Sequence, residues 1–438
     1  MKKIALITLG CAKNLVDSEV MLGHLDKKGY EFVNSPKEAD VVIINTCGFI
    51  QPAKKESRDT LNHVLKLKKA HPPKKIIAVG CYVQRDRERL QKKFPDVDAW
   101  LGVNDFDKIV PLVEGKTFSH SPRCFLYDHN SPRILSTPLA WTYVKISEGC
   151  SHQCSFCSIP LIKGPYQSRT ISSIVEEVQN LTSQGIKEIN LISQDSTYYG
   201  RDLGLEKGIS LLLRELVSIP QLKWVRLLYG YPEEIDDSLL EVMQEDKVCS
   251  YIDIPLQHSE KKILNRMNRS MDGPRALKLL EKIRKKLPDV TLRTSLVVGF
   301  PGERKKEFQN LESFVRNARF DHLGVFTYSP EERTSCFPLG DPVKETVKKR
   351  RKDRLMEAQV EISFQNNQKY LNQQIDVLIE GNLKENPEVM VGRAPFQAPE
   401  VDGVVLISPS ENISERANSI QKVEIFETDI YDLYGTWV

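Results

Sequence analysis

Apolar and polar positions change rhythm three times along the chain. Over residues 1–121, short apolar runs alternate with stretches whose apolar positions recur every three to four residues, the mark of a parallel sheet wrapped by helices. The runs KIALITLG, DVVIINT and KKIIAVG predict three strands, and helical patterns follow them over 17–28, 54–69 and 85–93. From 141 to 368 six more runs, WTYVKI, KEINLIS, LKWVRLLY, SYIDIPL, VTLRTSLVVGF and FDHLGVFTYS, alternate with helical stretches. Six β/α units are too few for an eight-fold barrel, so a partial, open (β/α)6 barrel is expected, with its active site at the carboxyl ends of the strands. Its open side would admit a macromolecular substrate. Residues 122–140 carry prolines at 122, 132 and 138 without sustained periodicity and read as a linker. Residues 345–372 have helical composition, and the charge run Lys348 to Lys352 within them reads as a solvated face. From 369 to 438 the runs QIDVLIE, VMVGRA, GVVLISP and QKVEIFETDIYDLYGTWV, divided by Gly, Asn and Pro, predict a small all-β barrel. The fold class is α/β, in three domains spanning 1–121, 141–368 and 369–438.

Size agrees, since 438 residues exceed one ordinary domain. Lys and Arg total 62 against 59 Asp and Glu, so the overall charge supplies no argument for nucleic acid. Nine cysteines in a long chain do not form the disulfide framework of a small secreted domain; metal or redox chemistry in a reducing compartment fits them better. The opening MKKIALITLGC has the look of a lipoprotein signal, but its apolar run is too short and Thr8 stands where a large aliphatic residue is wanted. It reads as a first strand. No stretch reaches the length of a membrane span, and the protein is expected to be cytoplasmic, with no membrane partner.

The cysteines then sort themselves. Cys150, Cys154 and Cys157 lie in one loop, GCSHQCSFC, after the strand WTYVKI. Soft thiolates select zinc, copper(I) or iron-sulfur clusters; structural zinc wants four ligands, and here there are three. A cubane cluster on three cysteines leaves one iron open for another ligand. Cys11, Cys47 and Cys81 each stand where one of the first three strands ends. Any one alone would read as core packing, but the carboxyl ends of strands in an open α/β sheet form the ligand crevice, so the three should converge on a second three-thiolate site. Cys124, Cys249 and Cys336 have no partner at ligand spacing and read as structural, and neither His152 nor His258 is assigned to metal. Gln194, Asp195, Gln257, Arg293 and the GFPGE turn, Gly299 to Glu303, sit at strand ends on the expected catalytic face; the turn is equally explained by backbone geometry. Asp195 and Gln257 are the substrate-contact candidates.

The spacing of Cys150, Cys154 and Cys157, with Phe156 before the last of them, resembles the signature of the radical S-adenosylmethionine (SAM) enzymes. An N-terminal three-cysteine domain ahead of such a barrel, followed by a small β barrel like a TRAM domain, resembles the methylthiotransferases over essentially the whole chain. The resemblance implies that Cys150, Cys154 and Cys157 hold a SAM-cleaving 4Fe-4S cluster and Cys11, Cys47 and Cys81 an auxiliary one. It also implies that Phe156, Gly299 and Glu303 lie by the SAM cofactor, and that SAM serves both as methyl donor and as source of a 5'-deoxyadenosyl radical. An electron donor is needed as well.

Two branches of that family differ in substrate: an adenosine of tRNA, or an aspartate β-carbon in the twelfth small-subunit ribosomal protein. GCAKNLVDSE, ISQDSTYYG, DIPLQHSE and RAPFQAPEVDGVV resemble the second, the first branch typically having Gln-Met after the first cysteine. Charge agrees independently. From residue 370 onward there are twelve Asp or Glu against four Lys or Arg, the wrong sign for phosphate and the right one for a basic ribosomal protein. The same charge would also serve solubility alone. A tRNA-modifying enzyme and a non-catalytic metal-binding RNA adaptor are the alternatives.

Overall fold

In the computed structural model, which describes residues 2–70, 74–408 and 417–438, five strands build the first sheet. β1 (Lys3–Thr8), β2 (Glu31–Phe32), β3 (Val41–Thr46), β4 (Lys75–Gly80) and β5 (Ala99–Leu101) are parallel, in the order β2-β1-β3-β4-β5. Both faces are covered, which is why the strands read as unbroken apolar runs. Ile4, Val41, Ile43, Ile77 and Val79 face helix α1 (Ala12–Asp26), whereas Ala5, Val42, Ile44, Ile76 and Ala78 face α2 (Gln51–Ala70) and α3 (Cys81–Lys93). The two- and three-residue strands β2 and β5 escape sequence reading because they are too short to show a period. Helix α1 begins five residues before its apolar pattern does. It buries Lys13, Asn14, Asp17, Ser18 and Glu19, so its inner face carries polar residues that mask the helical signal. Strand order reverses between β1 and β3, and the crevice at their carboxyl ends is the natural ligand site of such a sheet.

After the short α4 (Ile109–Val113) the chain reaches β6 (Trp141–Lys145) through residues 114–140, which hold no helix or strand. This is no loose connection. Arg133 binds Glu19 at 2.7 Å, Glu177 at 2.9 Å and the Tyr143 carbonyl at 2.7 Å, strapping α1 to the second domain.

A two-residue antiparallel ribbon, β7 (Ser147–Glu148) and β8 (Gln167–Ser168), lies beside β6. β6, β9 (Glu188–Ile192) and β10 (Trp224–Leu227) form one parallel set; β11 (Tyr251–Asp253), β12 (Thr291–Val298) and β13 (His322–Thr327) form the other. The sets meet at a bridge between Val225 and Val248, and β6 does not pair with β13. The partial, open barrel is thus realised. Its helices, α5 (Ile159–Lys163), α6 (Ile171–Ser183), α7 (Gly208–Val217), α8 (Asp237–Val242), α9 (Lys261–Met267), α10 (Gly273–Lys286) and α11 (Lys305–Ala318), alternate with the strands. Val144, Leu191, Val225, Ile252, Leu296 and Val325 face them in the outer core. The inward-facing strand positions mix buried charges, Lys145, Glu188, Arg226 and Asp253, with aromatic and aliphatic residues. Helix α1 packs Val16 and Val20 against Trp141, Tyr143, Ile192, Leu228 and Tyr251.

The run at Lys348 to Lys352 lies on α12 (Glu345–Asn367) and is not a wholly solvated face. Lys348 and Arg351 point inward, Lys348 to the Tyr328 carbonyl at 2.9 Å and Arg351 to Glu303 at 2.7 Å. The tail is a closed barrel in the order β14-β15-β16-β18-β17, from β14 (Gln374–Asn382), β15 (Met390–Arg393), β16 (Val405–Ile407), β17 (Ile420–Thr428) and β18 (Leu433–Trp437). Alternate residues such as Val377, Ile379, Val423 and Ile425 fill it. Pro409 of the run GVVLISP, and Glu411, Glu415 and Arg416 of the charge count, lie outside the described residues. Residues 393–402 reach into the lumen of the larger barrel: Arg393 meets Glu188 at 2.6 Å, Arg226 donates to the Pro395 carbonyl at 2.7 Å, and Tyr251 donates to Asp402 at 2.6 Å. Arg293 belongs to this end too. It is the third residue of β12, not its carboxyl end as expected, and lies between Asp253 (3.5 Å) and Asp402 (3.6 Å). No described helix is long and apolar enough to cross a membrane.

Candidate functional site

Cys11, Cys47 and Cys81 stand at the carboxyl ends of β1, β3 and β4, astride the switch point. Backbone detail brings them close. Gly10 has φ +99°, and a Cβ there would lie 2.8 Å from the Cys47 Cβ and 3.1 Å from its Sγ. Gly80, at φ +98°, has the Asn45 Oδ1 where a Cβ would go. Asn14 staples the strand ends: its Nδ2 donates to the Leu9 carbonyl at 2.9 Å, its carbonyl accepts from Asn45 Nδ2 at 2.9 Å, and its Oδ1 lies 3.5 Å from the Cys81 Sγ. Cys11 is exposed, whereas Cys47 and Cys81 are buried. Burial pushes the Cys47 thiol up to about 11, with the neighbouring Cys11 adding to it, and raises Cys81 well above its ordinary range. Thiolates are costly here without a cation, which is the situation a metal centre resolves.

The second trio lies in the loop after β7. Gly149, at φ +75°, has the Pro165 carbonyl oxygen 2.0 Å from where a Cβ would stand, so only glycine opens this loop. The end of α9 holds it, the Ser155 N–H donating to the Met267 carbonyl at 2.9 Å and Asn268 Nδ2 to the Gln153 carbonyl at 2.8 Å. Burial, with Cys154 adding to it, raises Cys150 to about 11 and Cys157 to about 12. The guanidinium of Arg269 lies 3.8 Å from the Cys154 Sγ and 4.0 Å from the ring of Tyr231, whose other neighbour, His152, stacks on it at 3.8 Å. Among the described residues no three His, Cys, Asp or Glu form a single-ion site. Three soft sulfurs in each trio are the donor type an iron-sulfur cluster takes, each sulfur on its own iron.

The remaining candidates divide. Asp195 is buried and committed: it meets His152 Nε2 at 2.5 Å and accepts from the Thr197 N–H at 2.9 Å and hydroxyl at 2.6 Å. Gln257, at φ +71°, is held by its backbone to Ser295 and Val297, and its side chain has no hydrogen-bond partner among the described residues. Glu303 turns inward, accepting from the Gly299 N–H at 2.9 Å and pairing with Arg351 at 2.7 Å and His258 at 3.4 Å. The GFPGE turn is therefore braced by its own glutamate. Phe156 packs on the cluster containing Phe300 of that turn, so the loop and the turn share a wall. Cys249 is core, Cys336 hydrogen-bonds Tyr328 at 3.2 Å, and Cys124 lies 3.5 Å from Glu148.

Between the trios sits a buried ion cluster absent from the sequence reading. Lys145 pairs with Asp17 and, at 2.8 Å, with Glu148; Lys163 pairs with Glu148 at 3.1 Å and Asp17 at 3.3 Å. Burial would raise Glu148, but the two lysines outweigh it and hold the carboxyl at about 2. Asp17 follows Cys11 on α1 and Glu148 precedes Cys150, so these pairs set one trio against the other. A second pairing, Lys54 and Arg85 on Glu331 at 2.6 and 2.9 Å, joins the first domain to the loop after β13. Tyr231, Arg269 and Lys163 carried no sequence signal; the LYGYP stretch after β10 was the nearest hint.

Comparison with known proteins gives three matched regions: the family described as "Uncharacterized protein family UPF0004" over residues 3–102, the radical SAM superfamily over 144–315, and the TRAM domain over 373–438. The chain is 45% identical to the ribosomal protein uS12 methylthiotransferase RimO of Solibacter usitatus, covering 99% of this chain and 94% of that protein. It is 44% identical to the protein of that name in Aquifex aeolicus, covering 99% and 96%. Among solved structures it resembles the radical SAM methyltransferase TsrM of Kitasatospora setae, with TM-score 0.54 and 14% identity over 74% of this chain and 73% of that one, a likeness of fold.

Proposed function

The chain belongs to the ribosomal protein uS12 methylthiotransferases, and from that premise we propose that it places a methylthio group on the β-carbon of one aspartate of uS12. Radical SAM chemistry with SAM and iron-sulfur as cofactors comes with the family. The finer reading is a division of labour. Cys150, Cys154 and Cys157 hold one 4Fe-4S cluster, and Cys11, Cys47 and Cys81 hold a second. Bound there, the clusters and two molecules of SAM supply an electron, a methyl group and a hydrogen-abstracting radical.

The protein's own residues do the rest. Arg269 sets a positive charge beside the Cys154 sulfur, offsetting the negative charge of a thiolate-bound centre. Phe156 and the turn from Gly299 to Glu303 make an apolar wall beside the SAM-cleaving loop. Asp195 orients His152, which fixes Tyr231 by stacking; Gln257 offers an uncommitted amide for substrate. The open side of the barrel admits a protein loop, and exposed acids of the tail, among them Glu388, Glu424 and Glu427, draw in a basic partner. Residues 1–121, 141–368 and 369–438 act as the three units, with an external donor supplying electrons.

The observation that carries this reading is the equivalent placement of Cys11, Cys47 and Cys81 after three adjacent parallel strands. The test is anaerobic reconstitution. The wild type should hold about eight irons, as two cubanes require, and should add a methylthio group to uS12 while leaving tRNA unchanged by mass spectrometry. Replacing Cys150, Cys154 and Cys157 by Ala should abolish SAM cleavage yet keep roughly half the iron, on the premise of separate folding units. Replacing Cys11, Cys47 and Cys81 should keep SAM cleavage and lose the product. Product from that last variant would refute the second cluster's role.

A further inference from the structure

Lys13 stands two residues after Cys11 in the first turn of α1 and is only 9% exposed. Its ammonium lies 3.2 Å from the centroid of the Tyr229 ring, and among the described residues it makes no hydrogen bond and no ion pair. An aromatic face returns about 0.5–2 kcal/mol to a cation, less than the several kcal/mol that burying an ion costs. Asp253, the carboxylate that Lys13 influences, is already engaged by Arg293, which lies between Asp253 and Asp402. Lys13 is thus a largely buried residue whose ammonium has no ion-pair partner among the described residues, Asp253 acting on it only from a distance.

Its platform is built with equal care. Tyr229 is a non-glycine residue at φ +64°, a conformation that bulky residues adopt only when their surroundings impose it. Its N–H donates to Asp253 Oδ2 at 3.2 Å, its carbonyl accepts from the Ser196 N–H at 2.8 Å, and the next N–H, of Gly230, donates to the Asp253 carbonyl at 2.8 Å. Two residues on, Tyr231 stacks on His152 and carries Arg269, which reaches Cys154. The segment 229–231 thus touches a neighbour of Cys11 at one end and neighbours of Cys154 at the other.

The geometry points to Lys13 as the anchor for the substrate's carboxylate, received between the two cysteine trios and exchanged for the Tyr229 ring face. The inference rests on the uS12 reading above, which requires an aspartate to lie there. One compact ammonium suits a single carboxylate, whereas a phosphate is usually gripped by several donors or an arginine fork. Lys13 would choose the residue to be modified, holding it by the end that does not react.

The test uses the reconstituted holoenzyme, without reductant, and labelled peptides of the uS12 loop carrying either the aspartate or an asparagine in its place. A charge-assisted hydrogen bond should make the wild type bind the aspartate peptide about ten- to a hundredfold more tightly. Lys13→Met should bring that ratio close to one by weakening the aspartate peptide alone, and Lys13→Arg should retain part of it. If Lys13→Met loses iron and so is misfolded, Lys13→Gln carries the same comparison. A ratio retained in the neutral variants, or absent from the wild type, overturns the inference. So does tRNA binding that competes with the peptide and falls with Lys13→Met, which would make the anion a phosphate. In a second reaction, with SAM and a one-electron reductant added, methylthiolation of the aspartate peptide by the wild type while the neutral variants still discriminate would make the anchor alone wrong; if the wild type then modifies neither peptide, the uS12 reading falls with it.

Discussion

At the scale of single residues, glycines decide how near the sulfurs come. Gly10 is needed twice, once for φ +99° and once because a methyl group would press on Cys47 at 2.8 Å. Gly29 has φ +79° but nothing within 4 Å of the added carbon. Gly29→Ala should therefore show only backbone strain, about 1 kcal/mol. Gly10→Ala adds a collision with Cys47, raising the loss to about 2–3 kcal/mol, and on the proposed reading should lower the iron bound by the first trio while SAM cleavage at the second persists. Thermal unfolding and iron analysis of the two variants side by side separate strain from ligand displacement. Equal effects would show that the contact with Cys47 is unimportant.

At the scale of elements, two helices carry charges that a helical wheel assigns to solvent and the tertiary fold takes inside. Helix α1 brings Asp17 to Lys145 and Lys163; α12 brings Arg351 to Glu303, while Lys352 beside it stays exposed. Removing one partner from a buried pair leaves an uncompensated charge, at about 3–5 kcal/mol. Arg351→Ala should destabilise by that amount and loosen the turn from Gly299 to Glu303. Lys352→Ala should stay within about 0.5 kcal/mol, as exposed substitutions do. Denaturant unfolding of both variants checks this, and an Arg351→Ala protein as stable as Lys352→Ala would mean that the turn holds without its brace.

At the scale of the whole molecule, the tail barrel is fastened by ions, not only by apolar packing. Glu188 is fully buried between Arg393 of the tail and Arg226 of the lumen. Burial alone would raise its carboxyl, but Arg393 and Arg226 outweigh that and hold it below its ordinary value. A lowered carboxyl gives stability that is full above the unfolded value, about 4.3, and is lost as pH falls through the lower folded value. Docking of the tail should accordingly persist at neutral pH and weaken on acidification below about 4.3. Glu188→Gln should be less stable than the wild type at pH 7 and show a flatter acid limb, read from unfolding temperatures across a pH series. Parallel acid limbs for the two proteins would show that the carboxylate does not fasten the tail. Of the tail's acids, Asp402 likewise faces the lumen, so part of the charge count is docking machinery.

What the sequence determined by itself was everything carried by local pattern. Strands buried on both faces read as apolar runs, the tail strands alternate, and the cysteines stand where the strands of the first sheet end, as their spacing along the chain predicts. The loop GCSHQCSFC needed only its spacing. What the tertiary structure alone decided is every relation between segments far apart in the chain: the four-charge cluster between the trios, Arg293 turned toward the tail, the strap at Arg133, and Lys13 on the ring of Tyr229. A charged residue looks the same in sequence whether it faces water or a partner more than a hundred residues away. Hydrophobic period reports only which side of an element avoids water, and buried ions hide from it because their cost is met by partners that the period does not encode.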